Sequence, residues 1–259
     1  MIVDSFDNKS EAIINPTFNE DAYKVDVCIL TFSHIIEDFV LKNYKCEKIG
    51  ELKSATGIRD VYKIDYKEKK IGFFKTYVGS PACVGSVETS FSQIKTDKIV
   101  AFGGAGCLDK EIVHGKVMVP TEAYRDEGTS YHYMEASDYI EIKNHNIVSE
   151  FMKKNGIPYI EGKTWTTDAF YRETMNNFKK RKQDGCISVE MESSALQALC
   201  NFRNLDFYTF FTSGDLLDSP KWDKRRIEGE YEGTQHDITH FDIALELAYY
   251  VCEVKKWHI

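Results

Sequence analysis

Residues 186–202 read CISVEMESSALQALCNF, and the pattern changes in the middle. Cys186, Ile187 and Val189 make a short apolar run of strand length. Farther on, Ala195, Leu196, Leu199, Cys200 and Phe202 recur at steps of three and four, which predicts a helix packed along one face. Glu190, Met191 and Glu192 stand between the two. A buried strand thus hands over directly to a packed helix, and the hand-over carries two carboxylates.

The same alternation runs outward in both directions. VDVCIL (25–30) reads as a buried strand and IIEDFVLKN (35–43) as a short amphipathic helix. VYKIDY and IGFFKTYVG flank the turn EKK and read as a hairpin. GSPACVGSVETSFSQI begins with Gly and Pro and becomes helical, and KIVAFGGAG reads as a strand ending in a glycine-rich turn. KVMVP and DFYTFFTSGD are further strands. NHNIVSEFMKKNG is a helix closed by Gly156, and residues 236–254 form a long amphipathic helix. Strands alternating with helices predict an α/β fold with a central, largely parallel twisted sheet flanked by helices. No linker, low-complexity tract or repeat interrupts it, so one domain over residues 1–259 is expected, behind an irregular arm at 1–23.

Composition narrows the function. The formal charge is -8, and no basic patch or basic amphipathic stretch suggests nucleic acid or a membrane surface. Apolar runs are strand-sized, and the polar, acidic first residues do not read as a signal peptide. None of the seven cysteines forms a CxxC pair, and they sit in apolar runs as small hydrophobes, so a reducing, cytoplasmic setting is expected. His236 and His240 stand at helical spacing that can hold zinc, but without the general-base glutamate of an HExxH motif, so no metal is expected.

Open α/β sheets gather ligands beyond the carboxyl ends of their strands. Four such ends carry polar or glycine chemistry: Thr31-Phe32-Ser33-His34, Gly103-Gly104-Ala105-Gly106, Glu190-Met191-Glu192 and Ser213-Gly214-Asp215. Each also has a plain structural reading. Tight turns explain many glycine clusters, Glu192 can favour a helix N-terminus through the macrodipole, and Asp215 can be a turn residue.

SVEMESSALQAL resembles the VEMEaaal segment of the nucleoside phosphorylase family, which embraces purine nucleoside and uridine phosphorylases and related nucleosidases. AFGGAGCLDKEIVHGKVMVPTEAYRDEGTS is similar to the family's glycine segment, following strand and RDEGTS loop, and WTTDAFYRET and TSGDLLD to its base-pocket and late-strand segments. The likeness covers about residues 25 to 255. It implies cleavage of the bond between a pentose and a base. Glu192 would then accept hydrogen bonds from the ribose 2′ and 3′ hydroxyls, with Met191 against the sugar and Glu190 close to it. Phe170, beside Tyr171, would stack on the base, although Phe170 also reads as core. Gly104, Ala105 and Gly106 would let the substrate approach the backbone. Asp215, assisted by Arg225 or Arg226, would protonate a departing purine. The co-substrate would be inorganic phosphate, with no organic cofactor, and the assembly a homo-oligomer.

The chain departs from the family at the phosphate site. The Gly-Asp after the first strand is replaced by Thr31-Phe32-Ser33-His34, and the arginine before the middle glycines by Ala101-Phe102. Thr31, Ser33 and Arg59 are the substitutes to weigh, with Arg125 another cation. The leading expectation is a purine-preferring phosphorylase. A nucleosidase using water, with Glu37 or Asp38 to activate it, and a nucleoside-binding protein without catalysis are the alternatives.

Overall fold

The computed structural model describes residues 1–113, 115–219, 223 and 235–254. After a 3-10 turn at Ile2–Asp4, the chain runs β1 (Tyr23–Lys24), β2 (Val27–Thr31), α1 (His34–Asn43), β3 (Cys46–Ser54), β4 (Gly57–Tyr66), β5 (Lys69–Lys75), α2 (Ser80–Ser90), β6 (Ile94–Lys95) and β7 (Lys98–Cys107). There follow α3 (Lys110–Val113), β8 (Val117–Asp126), β9 (Tyr139–Glu141), α4 (His145–Lys154), β10 (Tyr159–Thr167), α5 (Met175–Gln183), β11 (Cys186–Glu190), α6 (Ser193–Arg203), β12 (Asp206–Leu216) and α7 (Gln235–Glu253).

The large sheet has the order β11-β10-β8-β12-β7-β2-β5-β4-β3, with β9 beside β8. The pairings β10–β11, β10–β8, β12–β7, β2–β7 and β2–β5 are parallel, while β3–β4 and β4–β5 form antiparallel hairpins at one side. The expected α/β layering is therefore present, with a mixed margin. One feature is additional. β11 also pairs antiparallel with the end of β7, Ser188 opposite Cys107 and Val189 opposite Gly106, so β11, β10, β8, β12 and β7 curl into a closed ring.

Apolar residues alternate to both faces of the central strands because both faces are covered. Cys28 and Leu30 of β2 and Ile99 and Ala101 of β7 pack with α2 and α6 residues such as Val84, Val87, Leu196 and Leu199. Val27, Ile29, Val100 and Phe102 face the other layer, against Ile36 and Val40 of α1 and Phe241 and Leu245 of α7. Phe241 sits edge-on to Phe73 at 5.6 Å, and Phe102 stacks on Phe210 at 5.7 Å. Each buried ring is worth roughly 1.5–3 kcal/mol of transfer free energy, enough to seat α7 across the strand ends.

The ring interior is a small separate core of Ala105, Cys107, Met118, Ile187, Phe211 and Leu216. Its tightness explains why β10 contains Gly162: a Cβ there would lie 2.7 Å from Ile187 Cγ2. That glycine and the polar Thr-Trp-Thr-Thr alternation hide β10 from a hydrophobic-pattern reading, and the charge-rich β3 and three-residue β9 are hidden likewise. The glycine segment differs from expectation too. Residues 103–106 are strand, not turn, and none of these glycines has a positive φ.

The β4–β5 turn falls where the sequence placed it, with Lys67 at φ 43° and Glu68 at φ 68°. The left-handed region costs a non-glycine residue roughly 1–2 kcal/mol. Glu68→Gly is expected to raise the melting temperature by a few degrees, after the flexibility it adds to the unfolded chain offsets part of that gain. A thermal melt with unchanged or lower midpoint would contradict the strain.

Candidate active site

The β11–α6 hand-over divides its two carboxylates between different tasks. Glu190 is 7% exposed. Its Oε1 accepts from Thr166 Oγ1 at 2.5 Å, and its Oε2 accepts from the backbone N–H of Glu192 at 2.8 Å and of Ser193 at 2.7 Å. It therefore caps α6 and ties it to β10. Burial pushes its carboxyl upward while these hydrogen bonds favour the anion. The helix N-terminal role that Glu192 could have filled is thus taken by Glu190, whose two carboxylate oxygens are both engaged within the chain.

Glu192 is left for other work. It occupies the N-cap position of α6 without a side-chain cap bond. Its Oε1 accepts from the backbone N–H of Gly79 at 2.5 Å. Burial, and next the charge of Glu190, push its carboxyl up to about 8. Gly79 holds φ +98°, a conformation that disfavours any side chain, and it precedes the Pro-containing first turn of α2. Ser80 Oγ donates to the Met191 carbonyl at 2.7 Å, so α2 is pinned to the same hinge. Met191 is half-buried beside it.

Across the strand ends, the glycine segments of β7 and β12 lie side by side, with Thr212 opposite Gly104 and Ser213 opposite Ala105. A Cβ on Gly106 would meet Leu217 Cδ1 and Val189 Cγ1 at 2.7 Å and Asp215 Oδ1 at 3.2 Å. Asp215 thus lies against the glycine strand. Glu173 is half-buried and close enough to feel it: burial first, and then the Asp215 charge, push Glu173 up to about 7. Phe170 and Tyr171 form a 3-10 turn just before Glu173, with ring centroids 4.1 Å apart. Phe170 is 49% exposed, so it is not a core residue.

Thr31, Ser33 and Gly104 come together. They line a cavity of about 340 Å³ with Phe32, His34, Ile36, Phe102, Gly103, Thr212, Ser213, Gly214 and His240, at the ends of β2, β7 and β12. Ser33 caps α1, its Oγ accepting from Ile36 N. The segment leading to Gly79 is tied to the end of β2 by Thr76, whose N–H donates to the Thr31 carbonyl at 2.8 Å.

The candidate cations are placed differently. Arg59 does not line this cavity in its own chain; its guanidinium stacks on Tyr77 at 4.0 Å. Arg125 is buried and holds the following loop, donating to Ser130 Oγ, Ser137 Oγ and the Glu135 carbonyl. Glu37 is paired with Lys75. Arg225, Arg226 and the His236 side chain lie outside the described residues. Sequence reading missed the roles of Gly79, Thr166 and Lys75. Gly79 alone carried a signal, as a glycine two residues before a helix-opening proline.

The model of the phosphorylase superfamily matches residues 27–241. The chain belongs to this superfamily. It is 27% identical over 186 residues to the DeoD-type purine nucleoside phosphorylase of Alkaliphilus metalliredigens, covering 71% of this chain and 77% of that one. It is also 27% identical over 179 residues to the 5'-methylthioadenosine/S-adenosylhomocysteine nucleosidase of Buchnera aphidicola, covering 60% and 77%. The fold matches that of purine nucleoside phosphorylase from Toxoplasma gondii with a TM-score of 0.67 at 16% identity, over 94% of this chain and 97% of that one. Members of the superfamily thus include both phosphorylases and nucleosidases, and these likenesses do not divide this chain between them.

The raised carboxyl of Glu192 has a consequence for stability. Unfolded, it titrates near its ordinary 4.5; folded, at about 8. Between these values the folded state holds a proton that the unfolded state has lost, so stability falls as pH rises through this window. Glu192→Gln is expected to melt higher than wild type at pH 8.5, with the difference shrinking toward pH 4.5. Equal melting temperatures across the range would contradict a buried, protonated Glu192.

Proposed function

We propose that the protein cleaves the N-glycosidic bond of purine nucleosides with inorganic phosphate, releasing free base and a pentose 1-phosphate. The observation that carries the reading is the division of labour at the hand-over. Glu190 does the capping, so Glu192 is a buried carboxyl left out of the helix cap, meeting the Gly79 N–H at the start of α2. Desolvating a carboxylate is expensive, and folding alone gives no reason to retain one there.

In the free protein Glu192 is largely protonated at neutral pH. Ribose 2′ and 3′ hydroxyls donating to it would favour its ionised form. The anion then lies beside the sugar as positive charge develops at C1′, an interaction stronger in the transition state than in the ground state. Met191 borders the sugar, and the exposed Phe170 offers a face to the base. Asp215, against Gly106 and near Glu173, is the acid for the departing purine, a role worth about 10²–10⁴-fold.

Thr31, Ser33, Thr212 and Ser213 surround the cavity with hydroxyls, and the N-terminus of α1 opens at its wall. Hydroxyls and helix N–H groups suit a tetrahedral oxyanion. Hydrolysis is the second reading, favoured by one observation: among the described residues, no Arg or Lys lines the cavity. Against it, the carboxylate nearest the first strand's end, Glu37, is engaged by Lys75 rather than held ready for water. A homo-oligomer completes the proposal, since the half-open aromatic turn at Phe170 and Tyr171 suits cover from a second copy.

Release of base from inosine, guanosine, adenosine, uridine and methylthioadenosine, with and without phosphate, tests the reaction. Phosphate-dependent release from the purine nucleosides is expected; equal rates without phosphate would establish hydrolysis, and no release would leave a binding protein. Glu192→Ala is expected to lower turnover by several orders of magnitude in a folded protein. Asp215→Asn should reduce purine cleavage about 10²-fold or more while sparing any uridine cleavage; equal loss on both would rule out its role as the acid.

A further inference from the structure

Among the described residues, hydroxyls and apolar rings wall the strand-end cavity without a Lys or Arg, and Lys75 stands just outside this wall. Lys75 is the last residue of β5 and the register partner of Thr31 in the parallel strand beside it. Adjacent strands lie about 4.8 Å apart, and side chains two residues along share a face. Lys75 therefore follows Phe73, and Thr31 follows Ile29, on the face that packs against Ile36 and Val40 of α1. The Lys75 side chain is 14% exposed and is paired with Glu37, 17% exposed, on α1. Thr31 and Ile36, the immediate neighbours of this pair, are both walls of the cavity.

The location is unusual for a lysine. Removing an ammonium and a carboxylate from water costs several kcal/mol per ion, and the pair's attraction often fails to repay it. Lys63, in the neighbouring strand, is at least as buried, with 10% of its side chain exposed, but its ammonium reaches the exposed Glu47 and Asp65, whereas the partner of Lys75 is itself only 17% exposed. Lys75 instead turns toward α1, whose first residues open on the cavity. An ammonium has three donors on a flexible stem, so it can keep Glu37 and bind a second anion at the same time.

We propose that Lys75 binds the anionic co-substrate, reaching past Thr31 to an oxyanion in the Thr31–Ser33 cavity, and that Glu37 is the residue that positions it. The assignment rests on the phosphorolytic reading above. It supplies the charge that Ala101, Phe102, Arg59 and Arg125 do not provide within this chain. Glu37 holds the ammonium at the rim when the cavity is empty, and competes with the anion for it.

Steady-state kinetics and calorimetric titration with inorganic phosphate, on the full chain, test it. Lys75→Met is expected to raise the KM for phosphate about tenfold or more and weaken phosphate binding in parallel, with the KM for nucleoside changed less than about twofold. Lys75→Arg should restore most of the phosphate affinity. Glu37→Gln, which leaves the ammonium without its competing anion, should lower the phosphate KM severalfold. A wild-type phosphate KM in Lys75→Met, or equal increases in both KM values, overturns the proposal. If Lys75→Met does not fold, an unchanged phosphate KM in Glu37→Gln overturns it. Base release that ignores phosphate in the wild type removes the phosphorolytic reading itself; phosphate-dependent release untouched by these variants removes Lys75 alone.

Discussion

The three hydrogen bonds accepted by Glu190 hold the site together. One carboxylate closes the N-terminus of α6 through two backbone N–H groups and ties it to β10 through Thr166. The sharp passage from β11 into α6 follows, because the first turn of the helix has a partner before it begins. Ser194 N also donates to Thr166 Oγ1, and Ser194 Oγ to Glu127, so the loop after β8 joins the same knot. With its neighbour so occupied, Glu192 is directed at Gly79 and the start of α2. Two adjacent acids thus differ in kind, although their sequence context is nearly the same.

The closed ring imposes the second constraint. Pairing β11 with both β10 and β7 brings Val189 against Gly106, and only a residue without a side chain fits there. The same absence gives Asp215 its place beside the strand. Gly106, which lets the sheet curl, stands two residues past Gly104, which lines the cavity. Packing and site chemistry are one requirement at Gly106 and two separable ones at Gly104, where a Cβ would meet only the Gly214 Cα at 3.7 Å.

Much of this was legible in the sequence where periodicity is strong. The β11–α6 unit, the β4–β5 hairpin, β2, α1 and β12 follow directly from apolar spacing, and the positions of Thr31, Ser33 and Asp215 at strand ends follow from them. β10 was illegible because its inward side must be small, and β3 because its hydrophobic content is low. The assignment of Glu190 and Glu192 could not be made from a strand's alternation, since the helix start rotates the second carboxylate out of register. The Lys75–Glu37 pair lay beyond sequence reasoning altogether: two charges 38 residues apart in the numbering meet only through β2–β5 register and the docking of α1.

The ring also determines how the sheet ends. Closing β11 onto β7 removes one edge of the main sheet, and its order finishes at β3 on the other side. That remaining edge carries Glu47, Lys48, Glu51 and Lys53, with Lys48 bridged to both Glu51 and Asp60. Charged side chains along an edge oppose the addition of a foreign strand. Growth of copies of this chain into a continuous sheet is thereby opposed along β3.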